Sequence, residues 1–374
     1  MSTQATGNDQ PQPTGPAPAE AAPAGLVSAA AARGALTLSA AGLGKDFRLG
    51  HGQILHAVRD VSLSLYRSAV VALVGESGSG KSTVARMLAG QEHPTTGTIV
   101  LDEHPVEVTG RRAFRSYKSE VQYVFQDPFA SLNPAHTVRY HIERPLRLHR
   151  GRLSRKQVSE QATALMEQVR LSPADKYLSK YPHELSGGQR QRVSFARALA
   201  AEPSVLLADE PVSMLDVSIR LEMLALLDDL RQRLHLAMLY ITHDIASARY
   251  FADEILVMYA GQIVERGPAE DVTQQPAHPY TQLLVRSAPD PDNLGGALRN
   301  GTTNGNGAAS TTAGPAPEGA CVFSRRCPFA VDKCRSEVPP LVQISASRGA
   351  ACWRLDVAAP SVYAERGGGG DLSS

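Results

Sequence analysis

GESGSGKST, Gly75 to Thr83, is the stretch whose reading decides the fold. It fits G-x-x-x-x-G-K-S/T, a spacing that cradles phosphate. Ahead of it, Val70 to Val74 is a short apolar run suited to a buried parallel strand. Behind it, Ser82 to Leu88 carries the first turns of a helix. Gly75, Gly78 and Gly80 let the backbone turn sharply, with no side chain between its amides and an anion. The helix N-terminus adds positive potential at the same point. Glu76, Ser77 and Ser79 complete the loop. Lys81 can reach the β- and γ-phosphates of a nucleotide, and Ser82, followed by Thr83, can ligand Mg²⁺. An ordinary Gly-rich turn is the competing reading, and the strand–loop–helix setting argues against it.

Working outward, 374 residues suffice for one large α/β domain plus extras. A formal net charge of +1 gives no sign of a nucleic-acid binder. No apolar run approaches the roughly 18 to 20 residues that span a bilayer. The N-terminus lacks the basic start and continuous apolar core of a secretory signal, so a cytoplasmic location is expected. Met1 to about Arg33 is rich in Ala, Pro, Gln and Gly and reads as a disordered arm, 1–34.

Leu36 to Ser39 and Val61 to Leu65 alternate at period two and predict strands, with a polar connection, GKDFRLGHGQ, between them. Phe47, in that connection, can stack on a base or pack under a loop. Thr98 to Leu101 predicts a further strand. Val121 to Phe125 is β-rich and ends in Gln126, a polar side chain where open α/β sheets place ligands. Ser154 to Leu171 predicts a helix opened by a Ser154–Gln157 capping box, within a helical insert at about 137–185. Ser186, Gly187, Gly188 and Gln189, in LSGGQ, start another helix and offer an anion site at its N-terminus.

Val205 to Glu210, VLLADE, is an apolar strand closed by two acids. Buried carboxylates cost several kcal/mol unless paired or metal-bound, so folding explains them poorly. Asp209 can hold Mg²⁺, and Glu210 can orient and deprotonate an attacking water. Asp216 opens a helix carrying Leu221, Leu224, Leu227 and Leu230 on roughly one face. Ala237 to Ile241 is the next strand, and His243 follows its end, where a catalytic and a structural role are both open. Ile255 to Tyr259 and Gln262 to Glu265 read as a hairpin.

A Gly-, Asn- and Pro-rich linker, 289–318, leads to a Cys-rich extension, 319–356, and a disordered tail, 357–374. Cys321, Cys327, Cys334 and Cys352 are separated by five, six and seventeen residues. Spacing alone leaves an iron–sulfur cluster, zinc and four free thiols open.

In this order and spacing, the motifs resemble the ATP-binding subunits of ABC transporters, and more narrowly the oligopeptide/dipeptide importer family. The resemblance covers about Ala35 to Pro289 and Glu318 to Trp353. It implies a P-loop α/β nucleotide-binding domain over 35–288, with an antiparallel β subdomain and a helical subdomain. Gly75 to Thr83 would be Walker A, Gln126 the Q-loop glutamine, and Leu185 to Gln189 the signature. Asp209 would close Walker B, Glu210 would be the general base, Leu215 and Asp216 would lie in the D-loop, and His243 would be the switch histidine. Phe47 matches the A-loop aromatic, where Tyr is commoner.

FQDPFASLNP, HPYTQLL (His278 to Leu284) and the Cys-rich extension carry the narrower likeness. That likeness implies ATP, Mg²⁺ and a 4Fe–4S cluster on the four cysteines. It also implies two transmembrane permease subunits, a second ATP-binding subunit, an extracytoplasmic solute-binding protein, and a peripheral position on the cytoplasmic face of the membrane. The same family covers nickel chelates, glutathione and other small solutes. A soluble ABC ATPase acting on ribosomes or DNA is the rival class; such chains usually carry two nucleotide domains or a long coiled coil. Here there is one phosphate loop and no sustained heptad.

Overall fold

The computed structural model describes residues 26–106, 110–127, 131–287 and 316–365. Two sheets form the scaffold. The smaller is antiparallel, in the order β2-β1-β4-β5: β1 is Leu36–Arg48, β2 Ile54–Tyr66, β4 Thr96–Leu101 and β5 His104–Pro105. The larger has eight strands in the order β11-β12-β10-β9-β3-β8-β7-β6. Its parallel centre is β3 (Val70–Val74), β6 (Val121–Val124), β7 (Val205–Asp209), β8 (Ala237–Thr242) and β9 (Glu254–Tyr259). β10 (Gln262–Pro268), β11 (Val342–Ser345) and β12 (Arg348–Ala350) extend it antiparallel.

The central strands are buried on both faces, which explains their unbroken apolar runs. In β3, Val70, Ala72 and Val74 face one core while Val71 and Leu73 face the other. The second core is closed by the antiparallel sheet and by α1 (Lys81–Leu88). The first is closed by a helical layer containing α2 (Val138–His149), α3 (Arg155–Gln168) and α4 (Gly187–Leu199), and by α5 (Val217–Leu234). The Ser154–Gln157 capping box is present at the start of α3, and Ser186 and Gln189 make another at α4.

Some expectations shift. The strands flanking Phe47 are longer than their alternation suggested, because bulges break the period at several points in β1. Phe47 therefore lies within β1, opposite Leu55, and the connection shrinks to a few residues around Gly50–Gly52. On α5, Leu224, Leu227 and Leu230 are buried, but Leu221 is 52 % exposed; Met223 and Leu226 complete the inner face instead.

Residues 26–34, expected within the arm, carry a 3₁₀ turn at Ala29–Arg33. Ala30 is fully buried, and Arg33 pairs with Asp253 at 2.8 Å. The rest of the expected arm, and residues 289–315 of the expected linker, lie outside the described residues. Residues 355–358 and 360–365, the latter expected in a disordered tail, form short helices, and Val362 is buried. The Cys-rich extension also adds β11 and β12 to the main sheet, docked by a buried Arg348–Glu265 pair at 3.1 Å. Composition gave no warning of this, since each strand is only three or four residues long.

Candidate active site at the carboxyl edge of the parallel sheet

β3, β7 and β8 lie side by side and parallel, so the segments after them emerge at one edge. That edge collects the phosphate loop, Asp209, Glu210 and His243. Two glycines of the loop are spatially required. A Cβ on Gly75 would lie 2.1 Å from the Met258 carbonyl oxygen. One on Gly80, whose φ is +103°, would lie 2.4 Å from the Ala57 carbonyl oxygen.

Lys81 is 5 % exposed, and its ammonium donates to the carbonyls of Gly75 at 2.7 Å and Glu76 at 2.8 Å. Burial lowers its pKa, opposed by the negative charges of Glu210, Asp209 and Glu76. Ser82 donates from Oγ to Asp209 Oδ1 at 3.2 Å, and Tyr123 donates to Asp209 Oδ2 at 2.5 Å. Two hard oxygen donors this close suit Mg²⁺, which takes one or two protein ligands and fills its octahedron with water and phosphate.

Glu210 sits at φ +46°, an uncommon conformation for a side chain of its kind. Its N–H donates to the Ile241 carbonyl at 2.9 Å, and its own carbonyl accepts from Ser213 Oγ at 3.0 Å. The carboxylate accepts from Gln126 Nε2 at 2.9 Å on one oxygen and stands 3.2 Å from His243 Nδ1 on the other. Gln126, Glu210 and His243, expected separately at three strand ends, therefore meet around one carboxylate, Gln126 through a hydrogen bond and His243 at ion-pair distance. Ser77 and Gly78 are exposed loop positions, whereas Ser79 is buried.

Phe47, Asp216 and the signature have no hydrogen bond or ion pair to this group among the described residues. Phe47 is half-buried beneath the Lys45 ammonium, 5.1 Å from the ring centre. Asp216 is exposed at the head of α5 and makes no side-chain cap there. Ser186 is exposed at the head of α4, and a Cβ on Gly188 would meet Ile219 of α5 at 3.0 Å.

Three contributors were not singled out in the sequence. Tyr123 orients Asp209; its position two residues into VQYVF marked it only as core. Tyr280, within HPYTQLL, is fully buried, and its hydroxyl accepts from the Glu76 N–H at 2.8 Å. Arg326, between Cys321 and Cys327, forms a two-pronged pair with Glu76, at 2.9 and 3.0 Å. Nothing local signals a contact across 250 residues.

The four cysteines are free thiols. The Cys321 N–H donates to the Cys334 carbonyl at 2.9 Å. Burial raises the Cys321 pKa and pushes Cys327 up to about 11 and Cys352 up to about 12, with the neighbouring cysteines adding to each. Among the described residues, no three His, Cys, Asp or Glu side chains form a group able to hold a metal ion. No preformed metal centre therefore accompanies the expected 4Fe–4S ligands, nor the zinc alternative.

The fold and this edge define a P-loop ATPase of the ABC type. The family model described as "ABC transporter" matches residues 58–213, and that described as "Oligopeptide/dipeptide transporter, C-terminal region" matches 264–334. A probable peptide ABC transporter ATP-binding protein of Sinorhizobium fredii is 42 % identical over 80 % of this chain and 82 % of its own. The di/tripeptide transport ATP-binding protein DppF of Pseudomonas aeruginosa is 41 % identical over 81 % of this chain and 91 % of its own. The ATP-binding cassette MJ0796, solved as a dimer in a post-hydrolysis state with ADP and Pi, is 28 % identical. It superposes with a TM-score of 0.57 over 62 % of this chain and 98 % of its own. The chain belongs to the ATP-binding proteins of ABC transporters, in the group that carries the oligopeptide/dipeptide C-terminal region. It is an ATPase that binds ATP with Mg²⁺. Among the described residues, no helix is long and apolar enough to cross a membrane.

Proposed function

We propose that this chain hydrolyses ATP to power import of di- and oligopeptides, as a peripheral subunit on the cytoplasmic face of the membrane. The observation that carries the ATPase half is the meeting of Gln126 and His243 on the Glu210 carboxylate beside Lys81, Ser82 and Asp209. The peptide half rests on the match to the C-terminal region and on relatives named for peptide transport.

In this reading Ser82 and Asp209 hold Mg²⁺, with Gln126 beside it. Glu210 takes the proton of the attacking water, and Gln126 and His243 fix its carboxylate. Lys81 offsets charge on the transferring phosphoryl group. The exposed Ser186 to Gln189 face, together with Asp216, serves a second ATPase subunit, so that each ATP lies between one subunit's phosphate loop and the other's signature. Phe47 stacks on the base. Two permease subunits, a second ATP-binding chain and an extracytoplasmic solute-binding protein complete the assembly. The nucleotide-binding domain occupies about 35–288 and the Cys-rich extension about 319–356, with the packed body running from near 26 to 365.

A pull-down of the tagged chain from its native membranes in mild detergent tests this. Recovery of two multi-spanning proteins, a second ATPase and a solute-binding protein is expected. Recovery of ribosomes, or of no membrane protein, removes the transport half and leaves the ATPase.

We also propose that Cys321, Cys327, Cys334 and Cys352 ligate a 4Fe–4S cluster. Their support is chemical: four thiols fold into one small module and lie within electrostatic reach of one another. Anaerobically purified protein should be brown, with absorbance near ~400 nm and about four irons per chain. Colourless protein carrying stoichiometric zinc overturns it.

A further inference from the structure

Glu76 is an anomaly in the phosphate loop, because it adds an anion to a segment that binds a polyanion. Three contacts hold it. Its N–H donates to the Tyr280 hydroxyl, its carbonyl accepts from Lys81, and its carboxylate takes both terminal nitrogens of Arg326. Arg326 is 15 % exposed and Glu76 43 %, so the pair is partly shielded from solvent. The guanidinium is set before it meets Glu76. It lies 5.6 Å from the Tyr259 ring centre and 5.7 Å from that of Phe323, and Nη1 also donates to the Tyr259 hydroxyl at 3.3 Å. Its Nε–H stays buried with no hydrogen-bond partner among the described residues. A side chain that leaves one donor unpaired yet gives two to a single carboxylate is oriented for that carboxylate. Phe323 in turn packs on Tyr259 and Tyr280, with ring centres 5.3 and 5.6 Å apart. The extension therefore reaches the second residue of the phosphate loop by a rigid aromatic bracket.

We propose that Arg326 is a positioning residue of the nucleotide site, through which the Cys-rich extension neutralises Glu76 and sets the affinity of the phosphate loop for MgATP. Without Arg326 the Glu76 carboxylate keeps only the Lys81 ammonium as a nearby opposing charge and repels the bound phosphates more strongly. Without both charges the repulsion disappears.

The proposal rests on Gly75 to Thr83 holding the phosphates, and the two ideas fail separately. Hydrolysis that survived loss of the Lys81 charge would refute the site, whereas the Arg326 role is read from KM. In the assembled transporter, R326Q should raise the KM for MgATP about tenfold with kcat within about twofold, and R326K should recover part of the loss. E76Q/R326Q should return KM to near the wild-type value. A side chain that merely stabilised the extension would lower the thermal midpoint in both variants, and E76Q would not restore KM. A KM for R326Q within twofold of wild type, or one that E76Q fails to lower, overturns the proposal. Should R326Q not fold, the double variant still decides. A KM near wild type supports neutralisation, and a tenfold rise refutes it.

Discussion

Glu210→Gln should lower the kcat for MgATP in the assembled complex by about 10²- to 10⁴-fold while leaving KM within a few-fold. The substitution keeps shape and most contacts. The amide oxygen of glutamine can still accept from Gln126 Nε2, now 2.9 Å from the carboxylate, and the main-chain bonds to Ile241 and Ser213 do not involve the side chain. What is lost is the ability to take a proton from water. Removing an interaction made only in the transition state lowers kcat and kcat/KM together and spares substrate binding. A single-turnover assay beside an equilibrium binding isotherm separates the two. A variant that still turned over within threefold of wild type would move the general base elsewhere, His243 being the next group within reach.

The unusual backbone of Glu210 bears on how this site was legible. Sequence placed two acids at the end of an apolar strand, and that juxtaposition has little structural explanation, so the chemistry was visible. The same holds for the phosphate loop, where residue types and spacing are fixed by what they bind. Features set by tertiary packing were not legible. β1 bulges repeatedly against its neighbours, which destroys the period-two signal around Phe47. The inner face of α5 keeps Leu224, Leu227 and Leu230 of the leucine stripe that the spacing suggested, but Met223 and Leu226 widen it while Leu221 points to solvent. The composition predicts a Cys-rich extension hung on a linker, with a cluster, zinc and free thiols all open, yet the extension finishes the main sheet and touches the phosphate loop. Short strands and a single arginine between two cysteines carry no pattern that distinguishes docking from a free surface.

Lys81→Met should lower kcat/KM for MgATP by roughly 10²- to 10³-fold, about 3 to 4 kcal/mol, and unlike Glu210→Gln it should weaken both binding and turnover. The ammonium is buried among three carboxylates, Glu210, Asp209 and Glu76, each of which favours its charged form against the cost of burial. Methionine retains the apolar stem and removes the charge, so the loop keeps its packing but presents a more negative surface to the nucleotide. A retained cation would not serve equally. At 5 % exposure, with donors already directed to the Gly75 and Glu76 carbonyls, there is no room for the wider guanidinium of arginine. Binding of MgATP and MgADP by calorimetry, with turnover in parallel, would check this, and an unchanged affinity for both would exclude Lys81 from the phosphate contacts. The three substitutions divide the work by kinetic signature. Loss at Glu210 falls on kcat, loss at Arg326 falls on KM, and loss at Lys81 falls on both. On these expectations Lys81 alone of the three would act both while phosphate is held and while it is transferred.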